Sequence, residues 1–384
     1  MKAKVIGLGT SGKGAAKLLL KLGYEVIGID RNPVKIDGVK VYGEDAEVDA
    51  DLVVLSSGIP RTHPHAKGNV VGEAEFALRH LKNKMVGITG TNGKTTTTLL
   101  ICHVLNHAGI KARALGNVGA SLAEYAVQSD PDEVLVIELS SFQLETLEMR
   151  CLDVGLITNI SPDHLDRYPS FEAYKKTKLK LKNLVKEGGT FIMQGDSYLQ
   201  LTTKKGYLQS IGRANVFNAF QICKTFGVSL EEFEKALETF QPPSHRMERV
   251  GEFHGVTFIN DSKGTNIDAT LYGVNQIDRP IHLIAGGQSK GTSFLKWKDS
   301  FPDRVKRIYT IGETAPLIEK EMRNQFEVER CETLKEAVHR AKQMAKSGEI
   351  VLFSPGCASF DQFKNFEERG NMFKEYIKED RKSE

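Results

Sequence analysis

Cysteine is scarce in this chain, and its few cysteines follow no pattern that binds zinc or forms disulfides. Five cysteines are scattered over 384 residues, at positions 102, 151, 223, 331 and 357, without C-x-x-C spacing. An odd number of isolated cysteines favours reduced thiols over a disulfide framework. We therefore expect a cytoplasmic protein with free thiols.

The chain also lacks a long apolar run and a strong net charge. No apolar run approaches the length of a membrane span, and the amino terminus passes directly into the strand-like Lys4-Val5-Ile6 without the apolar segment of a signal peptide. The net charge is only +3, so no basic face for nucleic acid is indicated. We expect small-molecule substrates, no nucleic acid or membrane partner, and no obligate protein partner.

Alternating strand and helix signals predict three consecutive α/β domains. The length allows about two to three domains, and a content of 40% hydrophobic and 26% charged residues is ordinary for a globular protein. Apolar β-branched runs separated by amphipathic helices favour parallel sheets covered on both faces. A Pro-Pro pair at 242–243 predicts a linker. We predict a Rossmann-like domain over residues 1–83, a P-loop ATPase-like domain over 84–242 and a second Rossmann-like domain over 243–384.

The predicted strands are short apolar runs bounded by turn residues. They lie at residues 5–6, 26–29, 52–55, 85–89, 134–138, 154–158, 190–193, 256–260, 281–285, 307–311 and 350–354. Helices are predicted between them, including residues 15–22 and 229–240. Polar and glycine-rich segments follow many of these strands, and these segments carry the candidate chemistry.

Residues 90–95, which read Gly-Thr-Asn-Gly-Lys-Thr, predict a phosphate-binding turn that we call the phosphate loop. It lies between an apolar run and a helical pattern, so N–H groups at the helix start face an anion, Lys94 adds charge, and the Thr95 hydroxyl can bind Mg²⁺. The spacing departs from the strict pattern, because Ile88 stands where the first glycine is expected. A surface turn is the alternative, but the apolar flanks favour a nucleoside triphosphate site.

Residues 7–12, which read Gly-Leu-Gly-Thr-Ser-Gly, match a second nucleotide motif that we call the N-terminal glycine loop. Asp30 closes the next predicted strand about 20 residues further on, as a dinucleotide-binding fingerprint requires. The motif mainly encodes a tight turn at a helix start, which accepts any diphosphate or ribose. NAD is one candidate ligand, but a dehydrogenase does not explain the phosphate loop, so these residues leave the nucleotide open.

Carboxylates and a histidine follow two further strands of the central region. Glu138 ends an apolar strand, a position where α/β proteins bind ligands and where a carboxylate can hold Mg²⁺. Asp163, His164 and Asp166 follow the strand at 154–158. A surface loop that happens to be polar would explain any one of these residues. It explains several of them at one sheet edge less readily.

Four segments of the third region carry cations, hydroxyls and amides that suit anions. They are His245-Arg246, residues 260–266, residues 286–290 and residues 354–361. Cys357 lies in the last segment, but no Cys-His pair is evident, so a small buried thiol is a better interpretation than a nucleophile.

Taken in order, these segments resemble the muramyl ligase family of ATP-dependent amide-forming enzymes. The resemblance covers the whole chain and rests on the phosphate loop, Glu138 in Glu-Leu-Ser-Ser-Phe-Gln, Asp-His-Leu-Asp, His-Arg and Asn-Asp-Ser-Lys-Gly-Thr-Asn. Residues 354–370 are the most discriminating block and resemble the family member that adds D-glutamate. The resemblance implies ATP and Mg²⁺ as cofactors and an acyl phosphate of UDP-N-acetylmuramoyl-L-alanine as the intermediate, in cytoplasmic peptidoglycan precursor synthesis.

The resemblance also implies a role for each matching residue. ATP would contact Gly90, Thr91, Asn92, Gly93, Lys94, Thr95, Thr96, Asn215, Asn218, Arg246 and Asp261. Mg²⁺ would be held by Thr95, Glu138, His164 and Lys178, the last as a carbamate, although the lysine-rich run around Lys178 also fits an ordinary surface. Lys94, Lys178, His164 and Arg246 would be catalytic. The UDP-sugar would contact Thr10, Ser11, Asp30, Arg31, Ser56, Gly58, Asn117 and Lys263, and D-glutamate would contact Thr265, Lys290, Ser359, Phe360 and Phe366.

Two departures from the family and two competing functions stay open at this point. The chain is shorter than the family leads us to expect, mostly between residues 193 and 212, and Arg31 stands where the family often has a small hydroxyl residue. Folylpolyglutamate synthase shares the phosphate loop but not the N-terminal glycine loop or the block at 354–370. A nucleotide-binding regulator or NAD sensor would use the N-terminal glycine loop without turnover.

Overall fold

Three β-sheets flanked by helices organise the chain. The structure is a computed structural model and describes residues 1–165, 167–193 and 213–379. The described residues divide into a first unit (1–160, 172–193 and 213–240) and a second unit (161–165, 167–171 and 241–379). The predicted α/β class with parallel sheets is confirmed. The predicted domain boundaries after residues 83 and 242 stay predictions.

The first sheet contains five parallel strands. They are β1 (Lys2–Ile6), β2 (Glu25–Ile29), β3 (Val39–Tyr42), β4 (Leu52–Leu55) and β5 (Val70–Gly72). Their order is β3-β2-β1-β4-β5, so the direction of winding reverses between β1 and β4. In an open α/β sheet, ligands bind at the carboxyl ends of the strands at such a reversal. The N-terminal glycine loop follows β1 at this point.

The second sheet also has five parallel strands. They are β6 (Met85–Thr89), β7 (Ala112–Gly116), β8 (Val134–Glu138), β9 (Leu152–Ile157) and β10 (Val185–Met193). Their order is β10-β9-β6-β8-β7, which places β6 in the centre. The loops that follow β6, β8 and β9 therefore leave the same edge of the sheet side by side.

The third sheet has five parallel strands and one antiparallel edge strand. They are β11 (Glu248–Phe253), β12 (Val256–Asn260), β13 (Ile281–Gly286), β14 (Val305–Ile311), β15 (Glu327–Arg330) and β16 (Ile350–Phe353). Their order is β11-β12-β16-β13-β14-β15, and β11 is the antiparallel strand. Because β16 lies between β12 and β13, the loops after these three strands meet at one sheet edge.

Helices cover the sheets of both units. The first unit contains α1 (Thr10–Lys21), α2 (Glu73–Leu78), α3 (Lys94–His107), α4 (Leu122–Val127), α5 (Ser141–Thr146), α6 (Phe171–Leu179), which begins at the border of the second unit, α7 (Leu181–Leu184), α8 (Arg213–Thr225) and α9 (Leu230–Thr239). The second unit contains α10 (Ile267–Asn275), α11 (Leu295–Ser300), α12 (Ala315–Met322), α13 (Leu334–Met344) and α14 (Phe366–Glu379). Ser140 and Ser229 begin α5 and α9 with capping boxes, which satisfy N–H groups of the first turn. Across the described part of the chain, no helix has the length and apolar character needed to cross a bilayer.

The sequence predicted the interior strands of all three sheets but missed most edge strands. The strands β3, β5, β7, β11 and β15 were not predicted, and each lies at the edge of its sheet. An interior strand of a parallel sheet is buried on both faces and reads as a continuous apolar run. An edge strand such as β15, with the sequence Glu-Val-Glu-Arg, is half exposed and carries charges, so it lacks that signal.

An aromatic cluster fixes α11 in the core of the second unit. The indole of Trp297 is fully buried, with Phe294 and Phe301 at ring-centroid distances of 4.8 and 5.2 Å. Its Nε1–H donates to the carbonyl oxygen of Ile267 at 3.0 Å, which attaches α11 to the start of α10. Since Trp297 is the only tryptophan of the chain, its fluorescence reports on this region.

A buried carboxyl group, Glu73, begins α2 and contacts α4 in the first unit. Glu73 is 1% exposed, and its Oε1 accepts from the backbone N–H of Ala123 in α4 at 2.9 Å. Burial raises the pKa of Glu73 to about 7, although hydrogen bonds from Ala123 and Ser121 act in the opposite direction. The folded state therefore holds this proton at pH values where the unfolded chain has released it.

We predict that Phe294→Ala destabilises the protein while Leu295→Ala does not. Phe294 is 1% exposed and its neighbour Leu295 is 49% exposed, so only the first change leaves a cavity. The expected loss in free energy of unfolding is about 3–5 kcal/mol for Phe294→Ala and below about 0.5 kcal/mol for Leu295→Ala. Urea unfolding followed by Trp297 fluorescence measures both. Equal losses for the two variants would contradict this packing.

We predict that Glu73 makes the protein less stable as pH rises from about 4.5 to about 7. Because the folded pKa lies above the unfolded value of 4.5, ionisation costs about 3 kcal/mol of folding free energy above pH 7. Glu73→Gln keeps the acceptor for Ala123 and should raise the free energy of unfolding at pH 8 more than at pH 5. Urea unfolding at several pH values tests this, with Glu124→Gln, at an exposed carboxyl of α4, as the control. If the free energies of unfolding of wild type and Glu73→Gln differed by the same amount at every pH, the raised pKa of Glu73 would be contradicted.

Candidate active site

The phosphate loop is a tight turn between β6 and α3 that only glycine permits at two positions. Gly90 has φ of +149° and Gly93 has φ of +83°. A Cβ atom on Gly90 would lie 1.9 Å from Thr158 Oγ1, and one on Gly93 would lie 2.3 Å from Asn215 Oδ1. The turn leads directly into α3, which begins at Lys94. In any α-helix, the N–H groups of the first turn have no acceptor within the helix. Such a helix start binds anions.

The strand β9 and its following residues hold the phosphate loop in place. The backbone N–H groups of Thr91 and Asn92 donate to Asn159 O and Oδ1, both at 2.9 Å. In return, the carbonyl oxygen of Asn92 accepts from Thr158 Oγ1 at 2.7 Å and from Asn159 Nδ2 at 2.9 Å. The loop is thus fixed before any ligand arrives, which is the preorganisation that charge stabilisation requires.

Two lysines converge on the carbonyl oxygen of Gly90. Lys94 Nζ donates to it at 2.8 Å, and Lys178 Nζ donates to it at 2.7 Å. Lys178 is 2% exposed, and its ammonium lies 4.8 Å from the ring centre of Tyr174. It is therefore not an ordinary surface lysine, which was the alternative that the lysine-rich run left open. Two ammonium groups on one oxygen repel each other. A bound anion, or loss of the Lys178 charge by modification, would relieve that repulsion.

Glu138 provides a buried carboxylate at the end of β8. It is 1% exposed, and its Oε1 accepts from Asn117 Nδ2 at 3.0 Å. Its Oε2 is also buried and has no hydrogen-bond partner among the residues that the structure describes. Because a buried carboxylate oxygen without a donor is costly, this atom fits a cation such as Mg²⁺, which prefers oxygen ligands.

In the described ranges, no group of three or more His, Cys, Asp or Glu side chains is placed to hold a metal ion. This agrees with the chemistry of Mg²⁺, which takes only one or two carboxylates and completes its shell with phosphates and water. The donor set near the phosphate loop therefore fits Mg²⁺ held together with a nucleotide.

The two predicted asparagines lie on α8, which packs on α3. The helix runs from Arg213 to Thr225, so the predicted i, i+3 spacing does place Asn215 and Asn218 on one helical face. Asn215 Oδ1 accepts from Thr97 Oγ1 at 3.3 Å, and Asn218 is fully buried. Asn215 is thereby held next to Gly93 of the phosphate loop.

The N-terminal glycine loop brings three predicted residues together at the ends of β1, β2 and β4. A Cβ atom on Gly12 would lie 1.8 Å from the carbonyl oxygen of Gly7, so the third glycine is obligatory. Asp30 Oδ2 accepts from the backbone N–H of Leu8 at 2.6 Å, and Ser11 Oγ lies 2.7 Å from Ser56 Oγ. Asp30 therefore shapes the loop itself, whichever nucleotide the loop binds.

The other predicted sugar-nucleotide residues of this sheet are exposed. Thr10 and Gly58 lie at the surface, and Arg31 is exposed with its guanidinium 3.5 Å from Glu44 Oε1. Such a surface ion pair contributes little to stability. These three residues are accessible to a ligand at the sheet edge, whereas Ser11, Asp30 and Ser56 have hydrogen-bonded side chains.

In the second unit, Asp261 is a buried carboxyl group after β12. Burial raises the pKa of Asp261 to about 7, against the opposing effects of hydrogen bonds from Ser354 Oγ at 2.7 Å and the Met247 N–H and of the nearby charge of Arg246. Arg246 is partly exposed and thus accessible to an anion. The His-Arg segment and the loop after β12 meet here, since Lys263 N–H donates to the His245 carbonyl oxygen at 3.0 Å.

A second cluster of the same unit joins Asp163 to Lys290. Lys290 Nζ lies 3.1 Å from Asp163 Oδ1, and Asn266 Nδ2 donates to Asp163 Oδ2 at 3.3 Å. Burial favours the neutral acid, but Lys290 and His164 outweigh it and hold the pKa of Asp163 below its ordinary value. His164 adopts a left-handed backbone with φ of +53°, which directs this turn. The predicted Asp166 lies outside the described residues.

One buried residue, Arg369, organises the predicted amino-acid site and was not predicted as functional. Its guanidinium donates to the carbonyl oxygens of Ser262 at 2.8 Å, Cys357 at 3.1 Å and Ala358 at 3.0 Å, and to Ser262 Oγ at 3.1 Å. Burial lowers the pKa of Arg369 to about 10. Arg369 thus fastens the loop after β12 to the loop after β16. The only signal in the sequence was its place in the block at 354–370.

The predicted amino-acid contacts surround these fastened loops. Ser359 is buried beside them, Thr265 is partly exposed, and Phe360 is 67% exposed. Lys263 Nζ lies 3.8 Å from the ring centre of Phe366, a cation–π distance. Singly exposed hydrophobic side chains are common on protein surfaces, so the exposure of Phe360 makes it accessible to a ligand but does not by itself indicate one.

Cys357 is a structural thiol, as predicted. All five cysteines are free and buried. Burial raises the pKa of Cys357 to about 11, and its Sγ lies 3.3 Å from Thr314 Oγ1. A neutral, buried thiol is a poor nucleophile, so a covalent cysteine mechanism has no support here.

The predicted site residues divide between the two units. The first unit contains Thr10, Ser11, Asp30, Arg31, Ser56, Gly58, Gly90, Thr91, Asn92, Gly93, Lys94, Thr95, Thr96, Asn117, Glu138, Lys178, Asn215 and Asn218. The second contains His164, Arg246, Asp261, Lys263, Thr265, Lys290, Ser359, Phe360 and Phe366. Many of these residues follow strand ends, whereas Lys178, Asn215 and Asn218 lie on α6 and α8.

Two family models match the chain over most of its central and carboxyl-terminal parts. The Mur ligase middle domain matches residues 88–254. The Mur ligase glutamate ligase domain matches residues 245–357. Together the two matches include the phosphate loop, Glu138 and His164. They also include the loops after β12 and β13 and the first part of the loop after β16.

Two curated relatives match over almost their full lengths. UDP-N-acetylmuramoylalanine–D-glutamate ligase of Protochlamydia amoebophila is 39% identical over 433 positions, covering 98% of each chain. The enzyme of the same name from Caldicellulosiruptor bescii is 36% identical over 444 positions, covering 98% of this chain and 97% of its own. Both alignments run over more positions than the 384 residues of this chain, so the relatives carry segments that it lacks. The expected shortening between residues 193 and 212 lies almost entirely outside the described residues.

A solved structure shares the fold of the whole chain. MurF ligase from Thermotoga maritima in complex with ADP has a TM-score of 0.63 and 15% identity, covering 98% of this chain and 95% of its own. At this identity the likeness concerns the fold alone. The family resemblance drawn from the sequence motifs is confirmed by the two curated relatives. The chain therefore belongs to the Mur ligase family, in its group of UDP-N-acetylmuramoylalanine–D-glutamate ligases.

Proposed function

We propose that this protein is an ATP-dependent ligase that adds D-glutamate to UDP-N-acetylmuramoyl-L-alanine, in cytoplasmic peptidoglycan precursor synthesis. The observation that carries the proposal is the phosphate loop, with two lysines on the Gly90 carbonyl oxygen and the buried carboxylate of Glu138 after the neighbouring strand. The substrates are those in the names of the two curated relatives, which this chain matches over almost their full lengths.

ATP would bind with its phosphates on the phosphate loop. The N–H groups at the start of α3 and the ammonium of Lys94 offset the charge of the transferred phosphoryl group. Thr91, Asn92, Thr96, Asn215 and Asn218 complete the first unit's share of this site. Arg246 and Asp261 would serve the γ-phosphate and the ribose or adenine side, respectively.

Mg²⁺ would be held by Thr95, Glu138 and a carbamate on Lys178, with His164 as a further ligand. The metal ion would neutralise phosphate charge during transfer. The burial of Lys178 supports its role, because an ammonium would repel the metal and a carbamate would supply a carboxylate-like ligand. Glu138 Oε2, which is buried and has no hydrogen-bond partner among the described residues, supports the same site.

The reaction would proceed by two displacements without a covalent enzyme intermediate. A carboxylate oxygen of the L-alanine group attacks the γ-phosphorus of ATP, and ADP leaves as the acyl phosphate forms. The amine of D-glutamate then attacks the acyl carbon, loses its proton, and expels phosphate to give the amide. The residues of the phosphate loop position the reactants and stabilise charge in both steps.

The remaining predicted residues would select the two acceptor substrates. Ser11, Asp30 and Ser56 form the firm part of a sugar-nucleotide site in the first unit. Thr10, Arg31, Gly58 and Asn117 of the same unit and Lys263 of the second unit would also contact this substrate. Thr265, Lys290, Ser359, Phe360 and Phe366 would hold D-glutamate, on loops that Arg369 fastens. Cations and hydroxyls in this second set suit the two carboxylates of glutamate.

We predict that ADP release requires both UDP-N-acetylmuramoyl-L-alanine and D-glutamate. A coupled assay for ADP with D-glutamate, L-glutamate, L-lysine or diaminopimelate should give turnover with D-glutamate only. L-Lysine has no second carboxylate, diaminopimelate is longer, and L-glutamate has the opposite configuration, so none of them places its amine and both carboxylates as D-glutamate does. Tetrahydrofolate in place of the sugar nucleotide separates this function from folylpolyglutamate synthesis. Turnover with tetrahydrofolate, or tight NAD binding without ADP release, would replace the proposal with one of the two competing functions.

We predict that Lys94→Ala abolishes phosphate release while the fold is kept. Removing the cation at the start of α3 should lower kcat by about a thousandfold or more, because charge on the transferred phosphoryl group loses its partner. Lys82→Ala, at an exposed lysine before β6, is the matched control and should keep full activity. Circular dichroism and the melting temperature check that both variants fold. Retained turnover in Lys94→Ala would defeat the assignment.

A further inference from the structure

A tight turn at the end of β7 places Asn117 against Glu138. Gly116 has φ of +96°, and a Cβ atom on it would lie 2.4 Å from the carbonyl oxygen of Glu138, so the two strand ends touch at backbone distance. The turn closes on itself, because the Gly116 N–H donates to the Ala120 carbonyl oxygen at 3.0 Å. The position of residue 117 is therefore fixed by the backbone of β7 and β8.

Asn117 is attached to Glu138 twice, once through its backbone and once through its side chain. Its backbone N–H donates to the Glu138 carbonyl oxygen at 2.9 Å, and its Nδ2 donates to the carboxylate Oε1 at 3.0 Å. The first bond survives any substitution other than proline. The second engages one carboxylate oxygen, Oε1, while Oε2 stays without a partner among the described residues.

We propose that Asn117 is a positioning residue that orients the Glu138 carboxylate for the metal ion, an inference that rests on the proposed function. With Oε1 held by the amide, rotation of the carboxylate is restrained and Oε2 is the oxygen left for the cation. Partners of this kind, which hold a metal ligand without touching the metal, typically contribute 10–100-fold to metal affinity or activity.

The same asparagine is also one of the residues predicted to contact the sugar nucleotide. Asn117 is exposed, and an amide has two N–H donors and one carbonyl acceptor, of which the bond to Glu138 uses one N–H. A substrate that engages the rest of this amide fixes it further. Since coupling between two ligands is reciprocal, metal binding and sugar-nucleotide binding should strengthen each other through Asn117.

The test measures Mn²⁺ binding to the full-length protein with a non-hydrolysable ATP analogue, by electron paramagnetic resonance. We predict that Asn117→Ala raises the Kd for Mn²⁺ by about 10–100-fold. The Mg²⁺ concentration for half-maximal ADP release should rise by a similar factor. Asn324→Ala, at an exposed asparagine after α12, is the control and should change neither value.

A double-mutant cycle distinguishes positioning from a general loss of structure. In a Glu138→Gln background, where the carboxylate is gone, Asn117→Ala should weaken Mn²⁺ binding less than twofold further, because its effect acts through that carboxylate. An equal effect in both backgrounds overturns the inference. So does a rise in the KM for the sugar nucleotide with an unchanged Kd for Mn²⁺, or a wild-type protein that binds no Mn²⁺ beside the nucleotide analogue.

The binding measurement separates this inference from the proposed function. It uses no acceptor substrate and no turnover, so it decides the role of Asn117 even if D-glutamate is not the substrate. Conversely, ADP release with D-glutamate and the sugar nucleotide supports the proposed function even if Asn117→Ala leaves Mn²⁺ binding unchanged.

Discussion

The carbonyl oxygen of Gly90 is the point on which the first unit's site depends. It accepts from Lys94 and Lys178 at 2.8 and 2.7 Å, which draws two side chains distant in sequence to one atom. That geometry requires the left-handed turn and the absence of a Cβ atom at Gly90, because Thr158 occupies the space. The resulting density of positive charge beside a helix start makes the loop complementary to phosphate groups.

Both units build their sites at strand ends, but they stabilise them differently. In the first unit, backbone turns with glycines bring the phosphate loop, Asn117 and Glu138 together at the ends of neighbouring strands. In the second unit, the buried guanidinium of Arg369 joins two loops through carbonyl oxygens. In α/β proteins generally, rigid strands carry the loops that bind ligands, and ligands bind at the carboxyl ends of the strands where the strand order reverses.

The sequence predicted what is encoded in contiguous residues. Interior strands such as β6 and β8 read as apolar runs, and the phosphate loop reads as a motif, so their positions were correct. The edge strands β3, β5, β7, β11 and β15 escaped prediction, because pairing with a single neighbour places few demands on their side chains. The role of Arg369 was not predicted either. An arginine in an amphipathic helix is normally exposed, and its burial is recognised only when the carbonyl oxygens that it contacts are seen in the structure.

By itself, the sequence determined the class of fold, the family and the identity of the phosphate loop, since each rests on residues close together along the chain. Only the tertiary structure decided that Lys178 is buried, that Asp30 holds the N-terminal glycine loop, and that Asn117 donates to Glu138. The hydrogen bonds concerned join residues that are 21 to 88 positions apart in the sequence. Such contacts are set by strand order and register, which local patterns of hydrophobicity do not encode.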